Sequence, residues 1–487
     1  MNSHFRNVVR NVAYVFRNAI VQTTVLLSVL SVCVFNALSQ QPTAVADTRI
    51  ADPQINAALQ QISARQIQSD IDKLVSFQTR STISAQDPAS ISAGKGIGAA
   101  REWIKAEFER YSRDCGGCLE VKTDSFTQPV SERVPEPTVL TNVYAVLKGT
   151  NPSSSSKDND NNDDAKRVVL VTGHYDSRNT DILDKSGVAP GANDDGSGTT
   201  VSLECARVLS KLKFPRTIIF LAVAGEEQGL YGSKHFAEFA KSQGWIIEAV
   251  LNNDIVGGDQ SPGQDHKVVR VFSESVPDNI SQSQLRMIGA LGGENDSPSR
   301  ELARYIAQTA QAYHIQVSPL LEFRRDRYLR GGDHISFNEQ GFAAVRFTEF
   351  RENYNRQHQN VRTENGIEYG DLPKFVNFNY VANVARVNAA TLAELASAPA
   401  PPRNVRLQTK ELQNDSTLAW DPPEDGRASG YIVLWRATTA PDWEHSQLVA
   451  KDLKATLPLS KDNVIFAVQS VDEAGHRSLP VVPVPER

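Results

Sequence analysis

The chain has 487 residues, enough for two or three domains, and 40% of them are hydrophobic and 22% charged, as in an ordinary soluble globular protein. The formal net charge is −6 and no basic stripe interrupts it, which excludes a nucleic-acid-binding surface and a nucleic-acid partner.

The first 39 residues differ from the rest of the chain. Three arginines precede an apolar stretch from Ala19 to Leu38, and the small-x-small sequence Ala37-Leu-Ser39 closes it. This layout predicts a signal peptide over residues 1–39 and an exported protein, whether secreted, periplasmic or on the cell surface. The stretch is also about long enough to span a bilayer, so an N-terminal membrane anchor is the alternative.

Three cysteines would remain after export. Cys115 and Cys118 form a C-x-x-C pair, a spacing found in redox motifs and in half zinc sites, but no second pair follows. An exported protein with this pair is expected to form a short structural disulfide. Cys205 falls in a predicted helix and is interpreted as a buried apolar residue.

The segment before residue 167 combines helices, strands and one polar loop. Apolar spacing predicts helices over Asp52–Gln78, with a break near Ser63, and over Ile97–Tyr111. Strands are predicted at Leu119–Phe126 and Val139–Leu147. Residues 151–164 are a low-complexity polar run, which predicts a flexible surface insertion.

Strand-like and helical patterns alternate from residue 167 onward. The predicted strands are Arg167–Thr172, Arg216–Ala224, Ile247–Leu251, Val268–Phe272 and Phe342–Thr348. The predicted helices are Ser197–Lys211, Leu230–Ser242, Ser299–Tyr313 and Phe378–Ala396. This alternation predicts an α/β domain over residues 47–396, with a mixed, mostly parallel sheet and helices on both faces.

The pattern changes after a Pro-rich linker at residues 397–402. Residues 403–487 contain only short strand-like runs separated by turn residues, which predicts an all-β sandwich. The predicted strands are Asn404–Leu407, Thr417–Trp420, Gly430–Ala437, Ala455–Leu457 and Val464–Val471.

Potential metal ligands recur in the loops of the α/β domain. The strand that ends at Ala224 is followed by Gly225 and the carboxylate pair Glu226-Glu227. Four other polar groups lie in loops beside strands: Gly173-His-Tyr-Asp-Ser177, Gly191-Ala-Asn-Asp-Asp195, Asn252-Asn-Asp254 and Gly331-Gly-Asp-His334. Ligands of open α/β sheets bind at the carboxyl ends of the strands, so we expect these groups to lie together.

Each group alone has a simpler explanation. Glu226 and Glu227 suit a helix N-terminus, and single histidines after strands are mostly structural. Asp194 and Asp195 can cap a helix, and Asp254 can cap a turn. Five such groups at one edge of one sheet favour a single metal site instead. Two histidines and three carboxylates can hold two zinc ions, one carboxylate serving as bridge, and a further carboxylate is left to act on water.

These motifs together resemble the co-catalytic zinc aminopeptidases of the bacterial leucyl aminopeptidase family, in metallopeptidase clan MH. The similarity covers roughly residues 50–396, and its signature part is residues 167–350. The resemblance implies a zinc exopeptidase fold, two zinc ions, and a peptide or protein substrate with a free N-terminus. The implied reaction is removal of N-terminal residues.

The resemblance also implies the metal ligands. Asp194 would bridge the two ions. His174 and Asp254 would bind one ion, and Glu227 and His334 would bind the other.

Two further residues receive roles in the reaction. Glu226 would act as the general base, and Asp176 would accept the imidazole N–H of His174 and orient the ring. In this family the peptide bond after the bridging aspartate is cis, so a cis bond is expected between Asp194 and Asp195.

The C-terminal region resembles a fibronectin type III domain through Leu418-Ala-Trp420, Tyr431–Trp435 and Phe466–Asp472. Val464 stands where that family usually has its corner tyrosine, so the hydrogen bond of that tyrosine is expected to be missing. The domain is interpreted as a spacer or, alternatively, as a module that contacts a cell surface, a polysaccharide or a protein.

The same scaffold resembles carboxypeptidases and glutaminyl cyclases. Cyclases of this fold hold a single zinc, so the presence of both His174 and Asp254 favours hydrolysis. A carboxypeptidase needs a cation for the terminal carboxylate of its substrate, and Arg324, Arg325, Arg327 and Arg330 precede His334. A binding protein without catalysis would have no use for an intact base.

Overall fold

The computed structural model describes residues 49–150 and 166–486. The predicted signal peptide (residues 1–39) and the predicted insertion (residues 151–164) lie outside these ranges. Among the residues that the structure describes, no helix combines the length and the hydropathy needed to cross a bilayer.

An eight-stranded mixed sheet forms the centre of the α/β domain. Its strands are β1 (Leu119–Gln128), β2 (Thr138–Leu147), β3 (Arg167–His174), β4 (Thr217–Val223), β5 (Ile246–Asn253), β6 (Val268–Ser273), β7 (Ser318–Glu322) and β8 (Ala344–Glu349). The spatial order is β1-β2-β4-β3-β5-β8-β6-β7. The pairs β3–β4, β3–β5, β5–β8 and β6–β7 are parallel, and the other three are antiparallel, which confirms the mixed, mostly parallel sheet.

Helices cover both faces of this sheet. They are α1 (Pro53–Leu59), α2 (Ala64–Ser76), α3 (Pro88–Ser92), α4 (Gly96–Asp114), α5 (Gly196–Leu209), α6 (Tyr231–Ser242), α7 (Gln282–Leu291), α8 (Pro298–Ala312), α9 (His334–Glu339) and α10 (Phe378–Ser397). Side chains of β3 alternate between two apolar clusters, Val169 and Val171 in one and Val168 and Leu170 in the other. The first cluster also contains residues of α2, α4, α5, α8 and α10, and the second contains residues of α6 and α9.

Local chemistry explains several boundaries. The break near Ser63 is confirmed, because the Ser63 hydroxyl accepts a hydrogen bond from the Gln66 backbone N–H (3.2 Å) and starts α2. The disulfide between Cys115 and Cys118 is present at the end of α4, and Cys205 is a buried free thiol, as predicted.

The C-terminal region is a sandwich of two sheets. Its strands are β11 (Arg403–Gln408), β12 (Ser416–Asp421), β13 (Gly430–Ala437), β14 (His445–Val449), β15 (Lys454–Leu457), β16 (Val464–Val471) and β17 (Val484–Glu486). One sheet has the order β15-β12-β11-β17 and the other β14-β13-β16. Leu418 and Trp420 of the first sheet share an apolar core with Tyr431, Val433 and Phe466 of the second.

Two short strands, β9 (Arg362–Glu364) and β10 (Ile367–Tyr369), form a separate hairpin after β8. Single turns of 3₁₀ helix occur at Gly293–Asn295 and Pro373–Phe375.

Candidate metal centre

The predicted site residues lie at the carboxyl ends of three neighbouring strands. His174 is the last residue of β3, Glu227 follows β4, and Asp254 follows β5 directly. Asp194 precedes α5, which packs on β3. The order of the strands therefore brings residues from four separate loops to one edge, as expected.

Two groups of metal-ligand side chains form there, and Asp194 belongs to both. In the first group, His174 Nε2 lies 3.2 Å from Asp194 Oδ1 and 3.9 Å from Asp254 Oδ1. In the second, His358 Nε2 lies 2.9 Å from Asp194 Oδ2 and 3.1 Å from Glu227 Oε2. The two carboxylate oxygens of Asp194 thus face different histidines, which is the arrangement of a bridging ligand.

The second histidine of the site is His358, and the assignment of His334 is corrected. His334 is fully buried as the first residue of α9, and its Nε2–H donates to the backbone carbonyl of Arg325 at 2.7 Å. Burial lowers the pKa of His334 to about 3, and the guanidinium groups of Arg346 and Arg327 add to that effect although the hydrogen bond opposes it. His334 therefore contacts the segment before α9 through Nε2 and belongs to neither ligand group of the described residues.

His358 was missed because it lies in a long polar loop after β8. Glu349 ends β8, and His358 lies nine positions further along the chain. The one sequence feature that could have indicated His358 is that its loop follows the carboxyl end of a strand, at the edge of the sheet where the other ligands lie.

Asp176 contacts residues of both ligand groups. Its carboxylate lies 3.4 Å from His174 Nδ1, the nitrogen on the far side of the ring from Asp194. The same carboxylate accepts the backbone N–H of Glu226 (3.3 Å) and of Glu227 (3.1 Å). Asp176 therefore fixes the orientation of His174 and the start of the loop that carries both glutamates.

The loop that carries Asp194 is held by residues that sequence reasoning missed. The Asp371 carboxylate accepts the backbone N–H groups of Asn193 (2.9 Å) and Asp194 (2.7 Å). The buried Arg80 guanidinium donates to the carbonyls of Pro190 (2.6 Å) and Gly191 (2.8 Å) in the same loop. Both partners lie far from the motifs in the chain, so no local pattern indicated them.

Asp195 has a structural position beside the site. It caps α5 by accepting the Gly198 backbone N–H at 2.9 Å, and it accepts the His174 backbone N–H at 3.0 Å. The peptide bond between Asp194 and Asp195 is cis, as expected.

The buried charges at the site are strongly interdependent. Burial raises the pKa of Glu226 well above its usual range; His174 opposes this rise, and the charges of Asp254 and Glu227 add to it. Burial works against protonation of His358, but the carboxylates of Glu227 and Asp194 outweigh it and raise its pKa to about 10. The carboxylates therefore concentrate negative charge that a cation can neutralise.

The residues fit zinc. Two imidazoles and three carboxylates form a nitrogen and oxygen donor set of the kind that zinc prefers. His174 Nε2 and Glu227 Oε1 are buried atoms without a hydrogen-bond partner, and a metal would satisfy both.

Comparison with known proteins agrees with this site. The model of peptidase family M28 matches residues 142–377, a range that includes both ligand groups. A probable zinc metalloprotease from Leptosphaeria maculans is 45% identical over 89% of this chain and 97% of its own length. Another from Pyricularia oryzae is 44% identical over 91% of this chain and 86% of its own length.

The crystal structure of LapA from Legionella pneumophila is 22% identical, with a TM-score of 0.49 over 74% of this chain and 81% of that one. The sequence relatives and the family match show that the chain belongs to peptidase family M28 and is a zinc-dependent metallopeptidase.

Proposed function

We propose that this protein is an aminopeptidase that holds two zinc ions and removes residues from the free N-terminus of peptides. The observation that carries the proposal is the position of Asp194 between two histidines, with one further carboxylate on each side. His174 and Asp254 would hold one ion, and Glu227 and His358 would hold the other.

Zinc would supply Lewis-acid activation of a water molecule and of the scissile carbonyl. Glu226 would accept the proton of that water and pass it to the leaving amine. Glu226 is half-buried and belongs to neither ligand group among the described residues, so its carboxylate is available for proton transfer.

The ion pairs made by the arginines before His334 support action at the N-terminus of the substrate rather than at its C-terminus. These residues belong to the arginine loop, residues 323–333, which precedes α9. Arg325 pairs with Asp278, and the buried Glu352 pairs with both Arg327 and Arg330. Three of the four candidate receptors for the terminal carboxylate of a peptide therefore already have carboxylate partners, and the fourth, Arg324, lies over the Tyr328 ring at 4.4 Å from its centroid.

The direct test uses one peptide in two forms, with a free N-terminus and with an acetylated one. Zinc-loaded protein is incubated with each peptide, and the products are identified by mass. We expect residues to be lost one at a time from the free N-terminus and none from the acetylated form. Trimming of both peptides from the C-terminus would instead establish a carboxypeptidase, and loss of ammonia or water from an N-terminal glutamine or glutamate would indicate a cyclase.

A further inference from the structure

Two loops border the metal centre, one beside each ligand group. The histidine loop, residues 350–361, follows β8 and carries His358 of the group that contains Glu227. The arginine loop ends beside the other group, because a Cβ placed on Gly332 would lie 3.0 Å from Asp254 Oδ2. A contact between the two loops therefore connects the two sides of the metal centre.

Glu352 makes this contact from the histidine loop. Its side chain is only 3% exposed, and its carboxylate lies 2.9 Å from Arg330 and also pairs with Arg327, both in the arginine loop. A third guanidinium, that of Arg270 in β6, lies 3.0 Å away. One buried carboxylate thus fastens the histidine loop to the arginine loop and to the central sheet.

The charge of Glu352 is maintained by these partners. Burial opposes ionisation of Glu352, but the guanidinium groups of Arg327, Arg346 and Arg270 outweigh it and lower its pKa to about 2. A buried carboxylate with several charged hydrogen-bond partners is restricted in position. If it moved away from one partner, a buried charge would be left without compensation.

The backbone conformation of His358 has to be imposed by contacts with the surrounding structure. Its φ is 56°, in the left-handed region that a residue with a side chain adopts at a cost unless the surrounding structure imposes it. Beyond it, the Asn360 backbone N–H donates to the Thr180 hydroxyl at 3.3 Å, and the Thr180 backbone N–H donates to Asn360 Oδ1 at 3.2 Å. His358 therefore lies between this pair and the Glu352 contacts, and its Nδ1 is also 2.7 Å from a guanidinium nitrogen of Arg178.

We propose that Glu352 is a positioning residue, which holds His358 at the metal centre by fastening the histidine loop to the arginine loop. This inference rests on the proposed function to the extent that His358 binds the second zinc ion. It also gives the arginine loop a role, since two of its arginines serve as anchors.

The test compares wild type with Glu352→Gln and with the control Glu364→Gln. Glutamine preserves the shape of Glu352 and removes its charge, whereas Glu364 is 56% exposed and pairs with Arg362 on the surface. Zinc is titrated into metal-free protein against a chelator, and the affinity for each ion is measured. We expect Glu352→Gln to weaken one of the two ions about 10- to 100-fold, to spare the other, and Glu364→Gln to match wild type.

Hydrogen exchange of the metal-free proteins gives a second result that does not depend on the number of ions. Faster exchange confined to the histidine and arginine loops of Glu352→Gln, with recovery in Glu352→Asp, supports the inference. Exchange at the wild-type rate in both loops would overturn it, and so would uniformly faster exchange, which would show a general loss of stability. Binding of a single zinc by wild type would refute the two-zinc proposal, while the exchange data would still decide the role of Glu352.

Discussion

Glu226 and Glu227 are neighbours in the chain but have different surroundings. Glu227 is 5% exposed, and Oε2 of its carboxylate lies 3.1 Å from both His358 and Arg178. Glu226 is half-buried and takes part in neither ligand group of the described residues. At the scale of single residues, this difference separates the proposed ligand from the proposed base.

Glu226→Gln is expected to retain zinc and to lose turnover. The amide has the same shape but cannot accept the proton of the attacking water, so kcat should fall about 10²- to 10⁴-fold. The measurements are kcat on an unblocked peptide and zinc per chain, with the exposed Glu238→Gln on α6 as the matched control. Retention of near wild-type turnover by Glu226→Gln would remove it from the role of base.

The two histidines are distinguished by parallel substitutions to glutamine. His358→Gln should lose one zinc ion per chain on dialysis, because it removes an imidazole that lies 3.1 Å from Glu227 and 2.9 Å from Asp194. His334→Gln should retain both ions, since a glutamine amide can still donate to the Arg325 carbonyl. Zinc loss in His334→Gln with full zinc in His358→Gln would contradict this ligand assignment.

Site residues that lie at or just after the end of a strand could be predicted from the sequence, and those further along the chain could not. His174 ends a strand and Asp254 follows one directly, so the rule that ligands meet at strand ends is sufficient to find them. His358 lies nine residues beyond such an end, where the path of the loop depends on long-range contacts such as that between Asn360 and Thr180. Asp371 comes still later and reaches the site only through the backbone of Asn193 and Asp194.

At the scale of elements, burial decides which patterns could be recognised. The strands β3 and β4 are almost entirely buried and gave continuous apolar runs, and α8 has a strong apolar face. In contrast, α7 has no buried residue and is started by a capping box between Ser281 and Gln284. The edge strand β7 is partly exposed and contains a proline, so its sequence also lacked the strand pattern.

At the scale of the whole molecule, the C-terminal sandwich is fixed against α8. The Trp443 indole N–H donates to Glu301 at 2.8 Å, and Arg304 donates to the Pro441 carbonyl at 2.7 Å. Arg436 of the sandwich pairs with Asp296, and both side chains are 3% exposed or less. Buried charged contacts of this kind join the sandwich to the peptidase domain more firmly than a flexible spacer requires.

This interface makes a prediction about cooperativity. Arg436→Ala would remove the nearer guanidinium from the buried Asp296, while Arg304 lies 3.7 Å away, so the free energy of unfolding should fall by about 3–5 kcal/mol. The control is Arg406→Ala, whose partner Asp421 lies 3.5 Å away at the surface of the sandwich, and its cost should be at most about 1 kcal/mol.

Urea unfolding of the zinc-free proteins, followed by tryptophan fluorescence and by circular dichroism, measures both effects. Coincident transitions are expected for wild type and Arg406→Ala, with a lower midpoint for Arg436→Ala, since its two domains are no longer joined by this pair. Equal midpoints for the two variants would show that the buried pair does not hold the domains together.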